Sequence, residues 1–473
     1  MSFFDKIFGR SKAEVVGGGL PTGTFAEYNR TRHVKDKDLL CHAPFSNMYF
    51  NTEGHVALCW KTFHRHEVYS EDRSIMDIWK GKNFEKIRAG IRACDLEFGC
   101  QECKKHLLEG NYVNVLSKAY DNDHLHPVYP TIMEFELSNR CNLACTMCNG
   151  NLSSSIRRDR EKLPPLPSPY GQKFVNELNE FIPFLREARF NGGEPFLIKQ
   201  YYDIWDNIAA LNPRLKLVIA TNGTVLTSKV KEYMDQCNFH FNISIDGFSP
   251  ETYESIRVNG NFAQLMANLE YFIDYCKRND RTLCIMINPL RQNWWEMPAF
   301  VSWCNEQNIH LWFNTIMKPA DQALWSLPAN ELKEVHDKLK AAKPRTRGII
   351  PTEIEKYNLQ TYRNLVDKQI ATWYQEALQR QGQEDPLELK DDANAEVKVS
   401  VKVRSYFGAS RTSQAAELLE KLKQVSLLIA DEQDREAFYR MVLGSNPETL
   451  LELAQKESAT QLLQRFENEL GSQ

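Results

Sequence analysis

The chain has 473 residues with 58 Lys and Arg against 62 Asp and Glu, a formal charge of −4, which exerts no global pull toward nucleic acid or an acidic membrane surface. Its 42% hydrophobic content supports cores for about two to three domains, and its uninterrupted apolar runs of a few residues fall far short of a membrane span. The twelve cysteines, many at ligand-like spacings, read as metal binding in a reducing cytoplasm rather than as a disulfide framework.

Residues 1–37 read as an N-terminal tail. Asp5, Lys6 and Arg10 interrupt its apolar residues, so no signal-peptide core is expected. Residues 38–125 hold the first constellation of cysteines. It opens with Cys41-His42-Ala43-Pro44-Phe45 and continues with Gly54-His55-Val56-Ala57-Leu58-Cys59. After Ile78-Trp79 and Ile87-Arg88 it closes with Cys100-Gln101-Glu102-Cys103, and Cys94 lies nearby. Four cysteines ending in a C-x2-C pair describe a closed four-thiolate site, either structural zinc or an electron-transfer cluster.

Residues 126–320 change character. Six short segments rich in β-branched and aromatic residues, at 131–137, 188–191, 215–221, 240–245, 282–288 and 309–315, are each followed by a helix-length stretch. Most are near-continuous apolar runs, as expected of parallel strands covered on both faces. Strands alternating with helices predict repeated βα units in an α/β fold with a parallel sheet. After the first segment comes Ser138-Asn139-Arg140-Cys141-Asn142-Leu143-Ala144-Cys145-Thr146-Met147-Cys148. Three thiolates on such a loop can hold three irons of a [4Fe–4S] cube and leave the fourth iron without a protein ligand. Asn191-Gly192-Gly193-Glu194-Pro195 follows the second segment, and Thr221-Asn222-Gly223-Thr224 ends the third. Ser244-Ile245-Asp246-Gly247 ends the fourth, with Tyr253-Glu254-Ser255-Ile256-Arg257 beyond it, and Asn288 ends the fifth.

The cysteine spacing and the Gly-Gly-Glu-Pro stretch resemble the radical S-adenosylmethionine (SAM) superfamily. The resemblance implies a partial (β/α)6 TIM-like barrel with its chemistry at the strand ends. It makes Cys141, Cys145 and Cys148 the ligands of a [4Fe–4S] cluster whose open iron chelates the amino and carboxylate groups of SAM. An electron from the cluster then cleaves SAM to methionine and a 5′-deoxyadenosyl radical. Met147 stands where the family usually has an aromatic residue; it is apolar and still able to shield a cluster. Gly192, Gly193 and Glu194 are implied to hold SAM's ammonium. Asn222, Ser244, Arg257 and Asn288 are implied as further SAM-binding positions, with the Arg257 guanidinium on the carboxylate and Asn288 either toward the adenosine or capping a turn. Asp246 is left as a SAM contact, a substrate contact or a turn residue.

Beside such a core, the upstream constellation resembles the SPASM or shorter twitch auxiliary domain, which favours iron–sulfur over zinc. The domain usually follows the barrel and here precedes it. With Cys41, Cys59, Cys100 and Cys103, and Cys94 as a spare, it has enough cysteines for one auxiliary [4Fe–4S] cluster. Residues 321–397 are expected to be a helical segment ending in a polar linker. Residues 398–473 are expected to form a C-terminal helical bundle, with Ala416, Leu419, Leu422 and Val425 at helical spacing.

The resemblance thus implies a cytoplasmic enzyme that abstracts a hydrogen atom from its substrate and is fed by a reductase or flavodoxin-type electron donor. Its substrate is expected to be a peptide or protein that is oxidised or cross-linked. A sugar or other small metabolite is the alternative substrate, and a non-catalytic Fe–S or zinc scaffold is the alternative class. The C-terminal helices are expected to be a partner module.

Overall fold

The computed structural model describes residues 15–470 apart from 17–19, 22, 36, 113–114, 123, 381–398, 401, 404–405, 407–411, 430–434, 436–437, 440 and 444–446. The first 14 residues and the expected linker therefore lie outside the described residues. Two short strands, β1 (Val15–Val16) and β2 (Leu20–Pro21), pair with each other. Three more belong to the cysteine-rich region: β3 (Asn47–Phe50), β4 (His55–Ala57) and β5 (Glu67–Val68).

All six expected βα strands form, each within two or three residues of its predicted place. They are β6 (Ile132–Phe135), β7 (Glu187–Phe190), β8 (Lys216–Thr221), β9 (Asn238–Ser244), β10 (Leu283–Ile287) and β11 (His310–Phe313). They lie side by side in sequence order, every pair parallel. A parallel pair needs a crossover, and helices Lys199–Leu211, Ser228–Gln236, Phe262–Arg278 and Met297–Gln307 supply four of them. The sheet ends at β11 and β5 without closing on itself, which makes it a partial α/β barrel.

The incomplete closure shows in the burial pattern. On β8, β9 and β10 every second residue is fully buried: Leu217 and Ile219, Phe239, Phe241 and Ile243, then Leu283, Ile285 and Ile287. These face the helices, where Trp205 packs at 5.5 Å from Phe190 and 5.1 Å from Phe239. Truncating so large a buried ring costs about 3–5 kcal/mol. The alternate residues, among them Lys216, His240, Asn242, Ser244 and Met286, are only partly buried. The apolar runs thus do not mark strands covered on both faces; an unclosed barrel leaves its inner face accessible.

The cysteine-rich region is continuous with this sheet. β3 pairs parallel with β6, and β4 and β5 extend the sheet as an antiparallel meander. Two contacts lock the seam: Asn47 Nδ2 donates to Glu134 Oε1 at 2.8 Å, and Phe50 stacks on Phe135 at 5.7 Å. At the opposite edge, helix Glu353–Asn364 covers β11. Leu311 N–H donates to Asn358 Oδ1, and Asn358 Nδ2 donates to Ile309 O, so polar groups of the edge strand are satisfied. Thr352 and Glu355 form a capping box that starts this helix.

The chain divides into two compact units, Met1–Tyr374 and Gln375–Gln473. The second has its own core of Leu418, Leu422, Val425, Phe438, Leu450 and Leu451. A chain ended after Arg380 should therefore keep its iron content and its SAM cleavage while losing use of a macromolecular partner. Iron analysis and product chromatography of the truncated protein check this; poor iron loading would mean that the removed helices complete the first unit's core.

Candidate functional site

The loop carrying Cys141, Cys145 and Cys148 follows β6 and is held by its backbone on two sides. Gly193 N–H donates to Ser138 O (3.0 Å) and Glu194 N–H to Arg140 O (2.8 Å). Ala144 and Thr146 N–H donate to Val258 O (2.9 Å) and Ile256 O (2.8 Å). The hydroxyls of Ser153 and Ser155 bond to Leu143 O and Cys141 O. The paired glycines make this approach possible. Gly192 has φ +100°, and a Cβ on it would lie 2.7 Å from Ser138 O, while one on Gly193 would lie 2.3 Å from Arg140 O.

The three thiols lie within electrostatic reach of one another. Burial pushes Cys141 up to about 11 and Cys148 up to about 12, and raises Cys145 as well. Free thiols here stay protonated, and binding iron must displace those protons. Asn222 Nδ2 lies 4.0 Å from Cys141 Sγ and also donates to Asn142 Oδ1 at 2.9 Å. Arg257 Nη1 lies 4.0 Å from Cys145 Sγ.

Glu194 is fully buried. Its Oε1 accepts from the Thr221 hydroxyl and Phe196 N–H, and its Oε2 from Asn222 N–H. Burial holds this carboxyl up at about 7 against those three donors. A carboxylate has about four acceptor positions, so Glu194 braces the end of β8 and retains capacity for one more donor. Ser244 ends β9 on the inner face of the barrel, partly exposed.

Asp246, which the sequence left undecided, is the hub of this side. Its Oδ1 accepts from the backbone N–H and side-chain amide of Asn288, at 2.7 and 3.1 Å. Its Oδ2 pairs with Arg257 Nη2 at 2.6 Å, with both side chains buried. Burial opposes the guanidinium charge most strongly, but Asp246, Cys145 and Tyr253 together outweigh it and the net shift is upward. Breaking one half of a buried pair costs about 3–5 kcal/mol. Asp246→Asn should therefore lower the melting temperature and weaken SAM binding together, with iron content maintained; isothermal titration with SAM is the check.

Three buried polar atoms around the cysteine loop have no hydrogen-bond partner among the described residues: Arg257 Nε, the Tyr253 hydroxyl and Thr146 Oγ1. Orphaned donors of this kind are costly unless a ligand satisfies them. Together with the three thiols they fit a cluster bearing sulfides and an anionic ligand group.

The second site lies at the cysteine-rich end. Cys41, Cys59, Cys100 and Cys103 line one cavity with Leu40, Pro44, Ile91, Leu96, Leu116 and Tyr120. Burial raises all four thiols, Cys59 to about 11, and Cys41 feels each of the other three. The Cys59 N–H donates to Thr62 Oγ1, and Gly54 turns the β3–β4 hairpin at φ +86°. No three such donors among the described residues converge on a single-ion position; a multi-iron cube instead takes each thiolate to its own iron. Cys94, expected as a spare ligand, lies outside this cavity at φ 54°.

Residues 135–304 match the Radical SAM superfamily and residues 41–104 match the SPASM iron–sulfur cluster-binding domain. The GTP 3′,8-cyclase of Vibrio vulnificus (strain YJ016) is 24% identical over 199 residues, which cover 40% of this chain and 55% of that protein. The GTP 3′,8-cyclase of Limosilactobacillus fermentum is 26% identical over 234 residues, covering 48% and 66%. The chain thus spans 55% of the first of these relatives. Among solved structures, native anSMEcpe with bound AdoMet shares 16% identity at a TM-score of 0.35, covering 44% of this chain and 59% of that one. Streptococcus suis SuiB bound to S-adenosylmethionine shares 16% at a TM-score of 0.34, covering 56% and 59%.

Proposed function

We propose, from the premise that this chain belongs to the radical SAM superfamily and carries a SPASM iron–sulfur domain, that it modifies a peptide or protein by hydrogen-atom abstraction. These two domains imply a SAM-binding [4Fe–4S] cluster, auxiliary iron–sulfur binding and SAM. When bound, the cluster at Cys141, Cys145 and Cys148 supplies the electron that cleaves SAM to methionine and the 5′-deoxyadenosyl radical.

The chain's own residues supply position and charge. Gly192 and Gly193 let the loop after β7 close on the cysteine loop, and Glu194 offers a carboxylate for SAM's ammonium. Arg257, steadied by Asp246, offers donors to SAM's carboxylate. Asn222 links the end of β8 to Cys141 and Asn142. Ser244 and Asn288 flank the same strand ends. Cys41, Cys59, Cys100 and Cys103 are the ligands proposed for one auxiliary cluster, which would supply an electron acceptor if the net reaction were an oxidation. The first electron comes from a reductase or flavodoxin-type donor.

The observation that carries the peptide reading is the inner face of β8, β9 and β10, where Lys216, Asn242, Ser244 and Met286 are only partly buried. A polar face left partly open admits a chain segment, whereas a small metabolite calls for an enclosing pocket. The GTP cyclases among the relatives keep a small-molecule reading in play. Against a triphosphate stands the charge inside this barrel. Arg189 is paired with Glu134 and Glu187, and Lys216 with Glu187, so these inward cations are already neutralised.

Anaerobically reconstituted, reduced protein should convert SAM to 5′-deoxyadenosine, followed by chromatography with mass detection, and a substrate peptide should raise the yield. Iron-replete protein that yields none above a Cys141→Ala control would leave the non-catalytic scaffold as the surviving reading. No helix among the described residues is long and apolar enough to cross a membrane.

A further inference from the structure

β3 brings a side chain as well as hydrogen bonds to the barrel. Tyr49 stands opposite Glu134 on β6, and its hydroxyl bonds to Glu136, two residues further along the same face. Glu136 lies where β6 runs into the cysteine loop, with its Cγ 3.5 Å from the place a Cβ on Gly192 would take. The two glutamates differ in their surroundings. Glu134 has Arg189 and Asn47 as partners. Glu136 forms no ion pair among the described residues; its environment is burial and the Tyr49 hydroxyl.

On its other side the Tyr49 ring meets Trp60 edge-on, 6.3 Å between centroids. Trp60 follows Cys59 in the chain and is 54% exposed. The sequence Cys59, Trp60, Tyr49, Glu136, Gly192 thus forms a path of neighbours from the four-cysteine cavity to the loop after β7. A carboxylate lacking a counter-ion among the described residues, bonded by a tyrosine against which an exposed tryptophan packs, is the chemistry that receives a cation.

We propose that Glu136, Tyr49 and Trp60 form a substrate subsite for a cationic group, the ammonium or guanidinium of a lysine or arginine side chain in a peptide. The subsite rests on the peptide reading above for its substrate class only. Burial holds the Glu136 carboxyl up at about 7, as expected of an acid whose countercharge arrives with the ligand. Tyr49 keeps the carboxyl aimed along the path, and Trp60 offers its ring face to the cationic head group.

The test uses the full-length protein reconstituted with iron and sulfide, with SAM present. Blocked tripeptides with lysine or arginine at the centre are titrated against their neutral counterparts with norleucine or citrulline, and binding is read by equilibrium dialysis. The cationic peptides should bind about tenfold more tightly, a preference of the size expected for one charge-assisted contact. Glu136→Gln should reduce the cationic peptides to the level of the neutral ones, with iron content and thermal unfolding confirming a folded protein. Trp60→Ala, a surface change, should lower cationic binding by roughly threefold to fivefold and leave the norleucine peptide unchanged. Equal binding of lysine and norleucine peptides, or a lysine preference that survives both substitutions, overturns the subsite. SAM cleavage is read separately, so its failure in the wild-type protein would strike the proposed reaction and leave the binding result intact.

Discussion

Replacing Cys141, Cys145 and Cys148 together by alanine should abolish 5′-deoxyadenosine formation and remove about half the iron, from about eight per chain to about four, on one [4Fe–4S] unit per site. The remaining cluster should be spectroscopically silent toward SAM. The physical ground is that the two sets of thiols are separate: Cys141, Cys145 and Cys148 lie within electrostatic reach of one another on a loop beyond β6, while Cys41, Cys59, Cys100 and Cys103 line their own cavity. The complementary replacement of Cys41, Cys59, Cys100 and Cys103 should also leave about four irons, in a cluster that still responds to SAM. That variant should fail in product formation at a later stage, after the radical has formed. Electron paramagnetic resonance of the reduced proteins with and without SAM, alongside iron analysis, distinguishes the two. Zinc rather than iron left behind in the first variant would make the upstream site structural and remove the auxiliary cluster from the proposed chemistry.

Gly193→Ala should be nearly as damaging, although it deletes no ligand. The added Cβ would sit 2.3 Å from Arg140 O and 2.6 Å from the carbonyl carbon it belongs to. Both are backbone atoms, so no side-chain rotation relieves the clash. The cysteine loop must shift away, breaking the bonds from Gly193 to Ser138 O and from Glu194 to Arg140 O. Two lost backbone bonds plus the overpacking strain amount to about 2–5 kcal/mol. The expected result is protein that folds, holds less iron at the three-cysteine site and cleaves SAM at least about a hundredfold more slowly, since small displacements of positioned groups carry costs of that order. A Gly193→Ala protein with unimpaired turnover would mean that this loop contact has no part in holding the site. Gly223→Ala serves as the comparison. There the nearest obstacles are the Leu265 Cδ1 and Ile243 Cγ2 side-chain atoms, so its cost should come mainly from a positive φ of 72° and remain smaller.

The chain's proposed chemistry was legible where the candidate ligands lie close together in the sequence. Cys141, Cys145 and Cys148 sit on one short loop, so their spacing already marks a candidate three-thiolate site, and Gly192-Gly193 announces a close backbone approach before its partner is known. The six βα segments were legible because parallel strands need a crossover and the apolar runs repeat with that period. Cys41, Cys59, Cys100 and Cys103 were legible as a set, but only their meeting in one cavity separates them from Cys94, whose left-handed backbone turns it elsewhere.

Tertiary structure decided what pairs across distance. The parallel register of β3 on β6 joins positions as far apart as Asn47 and Glu134, and no local pattern encodes that choice of partner strand. It turns an upstream cysteine module into part of the barrel sheet and brings Tyr49 to Glu136. Asp246 stayed undecided between a SAM contact, a substrate contact and a turn residue because its partners are distant in sequence: Asn288 follows β10 and Arg257 ends the helix Pro250–Ile256. The inner face of β8 to β10 looked fully buried because apolar composition records hydrophobicity, whereas exposure depends on whether the sheet closes. Local spacing determined which residues could bind iron and SAM. The order and register of the strands determined which of them share a site, because long-range pairing is a property of the whole sheet and not of any one segment.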